Sequence, residues 1–441
     1  MIKNLKISHL VVPLLIILTA GVTAHADGET DDQSLTNRQL RAVYDSSVRY
    51  TDAITFPQTA VGNVALGRAK FGLAADDVTI DTSQALFQGT SVEAGLVVSN
   101  GTACSSCHRP QFNFLLPPTP ISQNLPPGDP LITNRVAENG DDPLGPGIFD
   151  TLGLVGQRVN RFNPIRPETD PYRQIFSWRK TQTIINMAFG YGLLTDGRGR
   201  EPIEQSRGAT FTHTQNTDKR FDDLVNPSLP HIAAYMQTEI RPPELAALLN
   251  PSDPNYANLV ANPYATVNAT TKLQKKGQAV FDASCTGCHN MPNVFTNRDH
   301  LNGPPLNFPL LYGHTFDIGV AQKNKHQLEF RRYDVATGTR IPIVLPLVKE
   351  DGSTVNLTVV DDIGAAAATG RFEDLHRFKV PQLRVISQLG PYFHDNSAAT
   401  LDEVVDYFNS DDYNNSKDGK LYPIHLNKQE RKALLAFLNV L

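Results

Sequence analysis

Four cysteines in 441 residues are too few for a disulfide framework. Excess positive charge is also missing: 40 Lys and Arg stand against 45 Asp and Glu, a formal net charge of −5. That balance argues against nucleic acid as a partner and for a small basic protein. After the first 26 residues no apolar run is long enough to span a bilayer, so stable membrane insertion is not expected. Apart from Met1, methionine is confined to Met187, Met236 and Met291, which leaves few thioethers for ligating a metal. Trp178 is the single tryptophan, and such residues are ordinarily core. Proline is plentiful: 31 of them imply long irregular connections.

The four cysteines fall in two copies of one pattern. Cys104-Ser105-Ser106-Cys107-His108 and Cys285-Thr286-Gly287-Cys288-His289 are both Cys-x-x-Cys-His, the attachment signature of c-type haem. In that chemistry the thiols of Cys104 and Cys107, and of Cys285 and Cys288, add to the vinyl groups. His108 and His289 then supply the proximal nitrogens to iron. The alternatives are a zinc site or two disulfides. Two complete motifs that consume every cysteine favour two covalently attached haem c groups.

The start of the chain agrees with that reading, because haem c is attached outside the cytoplasm. Lys3 and Lys6, the apolar run Leu10 to Leu18, and Ala24-His25-Ala26 form a secretory signal cleaved near Ala26. The periplasm is the expected compartment. The alternative is a membrane anchor, for which the run is short. Leu35 to Val48 has helical spacing behind Thr36, and Val64 to Phe71 reads as a second helix. From Gln111 to Ser177 the chain is dense in Pro, Gly and Asn without a sustained period, so it either wraps the first motif or forms a lid. Helical patterns return over Asp218 to Leu249, and Pro251 to Pro263 suits a linker. Lys272 to Ala283 is a helix delivering the second motif. Ile341 to Val348 and Val355 to Val360 suit an inserted β-hairpin, and Asn427 to Leu441 a closing amphipathic helix.

A second set of residues carries a family resemblance. Phe378-Lys379-Val380-Pro381-Gln382-Leu383-Arg384, Gly390-Pro391-Tyr392-Phe393-His394-Asp395 and Thr400-Leu401-Asp402-Glu403-Val404-Val405 closely resemble the bacterial dihaem cytochrome c peroxidase and MauG superfamily. Asp196-Gly197-Arg198 followed by Glu204-Gln205 resembles the same family's N-terminal half, and Gly277 and Phe281 sit where cytochrome c helices place them. The resemblance implies a mainly α protein with two cytochrome c-like haem domains, long irregular loops and a small β-hairpin insertion. The domains would be 27–262, with the Pro-rich insertion, and 263–441. The N-terminal haem would react with hydrogen peroxide. The C-terminal haem would relay electrons from a small periplasmic donor, a cytochrome c or cupredoxin. Arg384 becomes a propionate partner, and a homodimer is compatible with the family.

Departures from the family pattern are as informative. No His lies between His108 and His213, so the distal loop His of many relatives is missing and the first haem is open or capped otherwise. By ungapped counting the family's catalytic Glu falls on Gln215, which cannot take a proton. Gln205 is retained. His213 is the nearest group able to shuttle protons, with Glu204 behind it; the bland alternative is a histidine without a role. The family's interdomain Trp is Thr195, and its calcium-binding Asn is Lys180, whose ammonium can take the cation's place. At the second haem the family's axial Met or Tyr falls on Phe408, leaving neighbouring Tyr407, or His376 or His394, as ligand candidates. Met187 and Met236 read as core. The expected function is peroxide reduction. The alternatives are a MauG-like oxidase of a protein or organic substrate, and a dihaem electron carrier with no enzymatic activity.

Overall fold

The computed structural model describes residues 60–85, 103–133, 147–158, 176–190, 193–199, 202–214, 226–297, 315–323, 331–334 and 339–441. The expected signal, the expected helix at Leu35 to Val48, and Gln215 lie outside these residues. Helices predominate and the strands are few and short. Among the described residues no helix is long and apolar enough to cross a membrane.

Two helix crossings organise the chain. Val64–Phe71 begins at Asn63, whose side chain accepts from the Leu66 N–H at 3.0 Å. It packs on Leu229–Met236, and a Cβ on Gly67 would stand 1.9 Å from the His231 carbonyl oxygen. Lys272–Ser284 begins with a capping box between Thr271 and Gln274 and packs on Lys428–Leu438, itself boxed by Asn427 and Glu430. There a Cβ on Gly277 would stand 1.9 Å from the Ala433 carbonyl oxygen. At both crossings the absent side chain lets two backbones touch. One turn after each glycine comes a fully buried phenylalanine, Phe71 or Phe281, around which an apolar cluster forms.

The segment from Gln111 onward carries more order than its composition suggests. Leu116, Ile121, Leu131, Phe149 and Val155 form a buried cluster against Cys107 and Trp178, so this part wraps the first motif. Leu154–Arg158 pairs antiparallel with Phe176–Lys180, Leu154 opposite Lys180. A strand whose partner is this distant in sequence leaves no hairpin signal to read. Further on, Arg331–Asp334, Thr339–Val348 and Thr354–Val359 form a three-stranded antiparallel sheet. Its inward residues Leu345, Leu347 and Val359 pack on Ile363, Ala366 and Ala367, the alternation that a one-sided sheet requires.

Candidate active site

Both Cys-x-x-Cys-His motifs open onto one cavity of about 550 Å³, walled by Cys104, Cys107, His108, Cys285, Cys288 and His289. None of the four cysteines is joined to another in a disulfide. Among the described residues no group of three or more His, Cys, Asp or Glu is placed to hold a metal ion by itself.

The two histidines are aimed alike. His108 Nδ1 lies 3.1 Å from the Phe114 carbonyl oxygen, and His289 Nδ1 lies 2.7 Å from that of Phe295. A carbonyl only accepts, so Nδ1 carries the proton and Nε2 keeps its lone pair. Phe114 and Phe295 hold these positions with φ of 60° and 58°. Burial pushes His289 down to about 4, so it is neutral and able to ligate. It also pushes the Cys104 thiol up to about 12. The first motif is pinned by Ser105 Oγ donating to the Gly72 carbonyl at 2.8 Å and by Arg109, which donates to the Ser106 carbonyl at 2.9 Å and to Asp129 at 2.5 Å.

The rest of the wall fits haem, which is apolar except for two carboxylates. Thr195 Oγ1, Ser206 Oγ, Gln382 Nε2 and His394 Nε2 are buried polar atoms without a partner, and all four residues line the cavity. Such groups are costly unless something pairs with them. Lys379 is also on the wall, its ammonium pushed down to about 8 by burial and partly restored by Asp196. A carboxylate accepts from each of these donors.

The two halves of the chain meet in a buried ion network. Arg179 grips Asp362 with Nε at 2.6 Å and Nη2 at 2.7 Å, and reaches Asp196 with Nη1 at 2.6 Å. Ser177 Oγ donates to Asp362 at 2.6 Å, and Arg198 pairs with Asp196. Burial alone would raise Asp362, but Arg179 outweighs it and holds the carboxyl well below the usual carboxylate range. Lys180, next in sequence, donates through Nζ to the carbonyls of Leu389 and Pro391. Its burial pushes it down to about 7.

Several expected positions change. Arg384 is not on the cavity wall: it donates to the Thr266 carbonyl at 3.1 Å and lies over the Phe295 ring at 6.0 Å. Its Nε and Nη1 are nevertheless buried without a hydrogen-bond partner, as a carboxylate partner would require. Tyr407 also turns away, its hydroxyl donating to the Ile318 carbonyl at 2.6 Å. On helix Leu401–Phe408 the wall is made by Leu401, Val404, Val405 and Phe408. That is the i, i+3, i+4, i+7 face, which excludes position 407. His376 is bound to Asp361 at 2.9 Å and is off the wall. His394 is on it, stacked on Phe378 at 4.0 Å between centroids and pushed down by burial against the pull of Asp395 and Asp362. Met187 and Met236 belong to the Phe71 cluster and also line the cavity. Glu204 and Gln205 line it from helix Pro202–Thr214. His213 belongs to that helix, and Gln215 is outside the described residues. Arg179, Asp362 and Ser206 went unnoticed in the sequence because nothing local marks them.

No protein-family model matches the chain. It is 25% identical over 297 residues to the cytochrome c peroxidase IdrP2 of Denitromonas iodatirespirans, covering 64% of this chain and 72% of that one. It is 26% identical over 360 residues to IdrP1 of the same organism, covering 74% and 85%. The methylamine utilization protein MauG of Methylophilus methylotrophus is 23% identical over 279 residues, covering 60% and 68%. With both Cys-x-x-Cys-His motifs opening onto one cavity, these relationships make the chain a cytochrome c peroxidase-like oxidoreductase, similar to the bacterial dihaem cytochrome c peroxidases and MauG.

Proposed function

We propose that the chain is an exported, periplasmic dihaem enzyme that reduces hydrogen peroxide at the N-terminal motif with electrons relayed through the C-terminal one. The observation that carries this reading is the single cavity shared by two identically aimed Cys-x-x-Cys-His histidines. Two haem irons would supply peroxide activation and storage of one of the two electrons that the reduction consumes. The chain's own residues do the rest. Phe114 and Phe295 orient the imidazoles. Lys379, Gln382, Thr195 and His394 offer donors to carboxylates. The Arg179–Asp362 clamp holds the two halves in register across the relay. His213, on the same helix as the wall residues Glu204 and Gln205, handles the protons that peroxide cleavage requires. A small cytochrome c or cupredoxin supplies the electrons.

The test is steady-state peroxide turnover by the holoprotein with a reduced donor. General acid–base assistance is worth ~10²–10⁴ in rate, so His213→Ala should slow turnover by that factor while leaving both haems attached. Unchanged turnover would remove His213 from the mechanism. No reaction of the parent with peroxide would leave the electron-carrier reading in place.

A further inference from the structure

Tyr264 is placed behind the second motif in a way that peroxide turnover does not need. Its ring stacks on Phe295, centroids 5.5 Å apart and 27° between planes, and meets Phe437 edge-on at 5.8 Å. The carbonyl of that same Phe295 accepts from His289 Nδ1 at 2.7 Å. At its other end the Tyr264 hydroxyl donates to the carboxylate of Asp282, an exposed residue. A continuous contact path therefore runs from the proximal histidine through Phe295 and Tyr264 to the surface.

The hydroxyl's partner sets Tyr264 apart. A phenol loses an electron at neutral pH only if its proton has somewhere to go. Tyr392, Tyr407 and Tyr413 donate to the backbone carbonyls of Ile386, Ile318 and Tyr422, which cannot take a proton. Tyr235, packed on Phe71 behind the first motif, is 1% exposed and faces the half-buried Glu239 carboxylate, with no contact to the second motif's Phe295. Tyr264 alone of these five joins a stack on Phe295, the acceptor of His289, to an exposed carboxylate.

We propose that Tyr264 is an oxidisable outlet, discharging oxidising equivalents left at the second haem when peroxide arrives without enough electron donor. The step balances. Hydrogen peroxide would take one electron from each haem and two protons from solvent to become two waters, leaving one oxidising equivalent at each haem. Tyr264 gives one electron through Phe295 and His289 to refill the equivalent at the second haem, and its hydroxyl proton moves to the Asp282 carboxylate. The products are a neutral tyrosyl radical and a carboxylic acid. A one-electron reductant at the surface, such as a small phenol, restores the electron while Asp282 returns the proton. This rests on the peroxidase reading above.

The experiment mixes ferric holoprotein with hydrogen peroxide without donor and reads haem absorption and freeze-quenched electron paramagnetic resonance together. The parent should give a tyrosyl radical whose spectrum narrows when the protein carries ring-deuterated tyrosine. Tyr264→Phe, which keeps the stacked ring, should lose that signal with the haem response intact and bleach faster under repeated peroxide. Asp282→Asn should lower the radical yield with Tyr264 still present. A haem response with no tyrosyl radical, or an undiminished radical in Tyr264→Phe, overturns the outlet and leaves the peroxidase reading standing. No haem response to peroxide overturns both.

Discussion

Replacing Gly277 by Ala tests the packing that positions the second motif. In an exposed helix this change stabilises by about 1 kcal/mol, because glycine loses more backbone freedom on folding. Here the new Cβ would stand 1.9 Å from the Ala433 carbonyl oxygen and 2.7 Å from Phe437 Cβ. Neither contact is physically attainable, and the nearer atom is backbone, so helix Lys428–Leu438 must move away. Phe281 and Phe437, both fully buried in this crossing, would lose contact. Overpacking of this kind costs ~1–3 kcal/mol or more, which outweighs the propensity gain. We expect a net loss of about 2 kcal/mol in urea unfolding of the holoprotein followed by circular dichroism. The Phe281 ring is 6.5 Å from the His289 ring, so the absorption of the second haem should shift as well. Gly128→Ala is the control, since nothing lies within 4 Å of a Cβ there. If Gly277→Ala were as stable as the parent while Gly128→Ala behaved the same, the close-crossing argument would be wrong.

Asp362→Asn leaves Arg179 and Arg198 sharing Asp196, and breaking a buried pair on one side typically costs ~3–5 kcal/mol. Urea unfolding at neutral pH should show that loss. Because Arg179 depresses the Asp362 pKa, its stabilisation is present above the unfolded value of about 4 and disappears as pH falls through the folded one. The difference between parent and variant should therefore shrink in strong acid. Lys180→Met tests the other interdomain tie by thermal melts. Burial brings Lys180 to about 7, so between that value and the unfolded value the unfolded chain holds a proton that the folded one has lost. The parent's stability should rise relative to Lys180→Met from about pH 7 to about pH 10, and a flat difference would refute it.

What the sequence revealed was chemistry fixed by local spacing. Cys104, Cys107 and His108 must be read together because one turn carries all three, and the same holds for Cys285, Cys288 and His289. Groups whose direction depends on a helix were harder. Tyr407 is one residue from Phe408, yet that step turns it from the cavity to the Ile318 carbonyl. Arg384 follows a wall-lining Leu383 and still points to Thr266 and Phe295. Lys180 could be reasoned out as a resident cation, but its two acceptors, Leu389 and Pro391, become visible only once the chain is folded. The Arg179–Asp362 clamp had no local signal at all, since its partners come from opposite halves of the chain.

One regularity was present in the sequence and went unread: the two motifs belong to a longer repeat. Gly67 and Phe71 precede the first motif as Gly277 and Phe281 precede the second, and Phe114 follows His108 at the same interval as Phe295 follows His289. In three dimensions each glycine opens a helix crossing, each first phenylalanine packs beside the imidazole, and each second one offers its carbonyl to Nδ1. The long segment between Phe71 and Cys104 hides this correspondence in the first half, whereas Phe281 and Cys285 lie on one continuous helix end. Since the proximal architecture is the same twice, the two ends of the cavity differ only by what lines the rest of the wall. Ser206, Gln205 and Glu204 come from helix Pro202–Thr214, which contacts Leu229–Met236 of the first crossing, and Phe408, Val405 and Leu401 from helix Leu401–Phe408, which contacts Lys428–Leu438 of the second. A polar wall can manage protons and an apolar one cannot, so the proposed division into a reactive site and an electron-holding site would follow from these two walls.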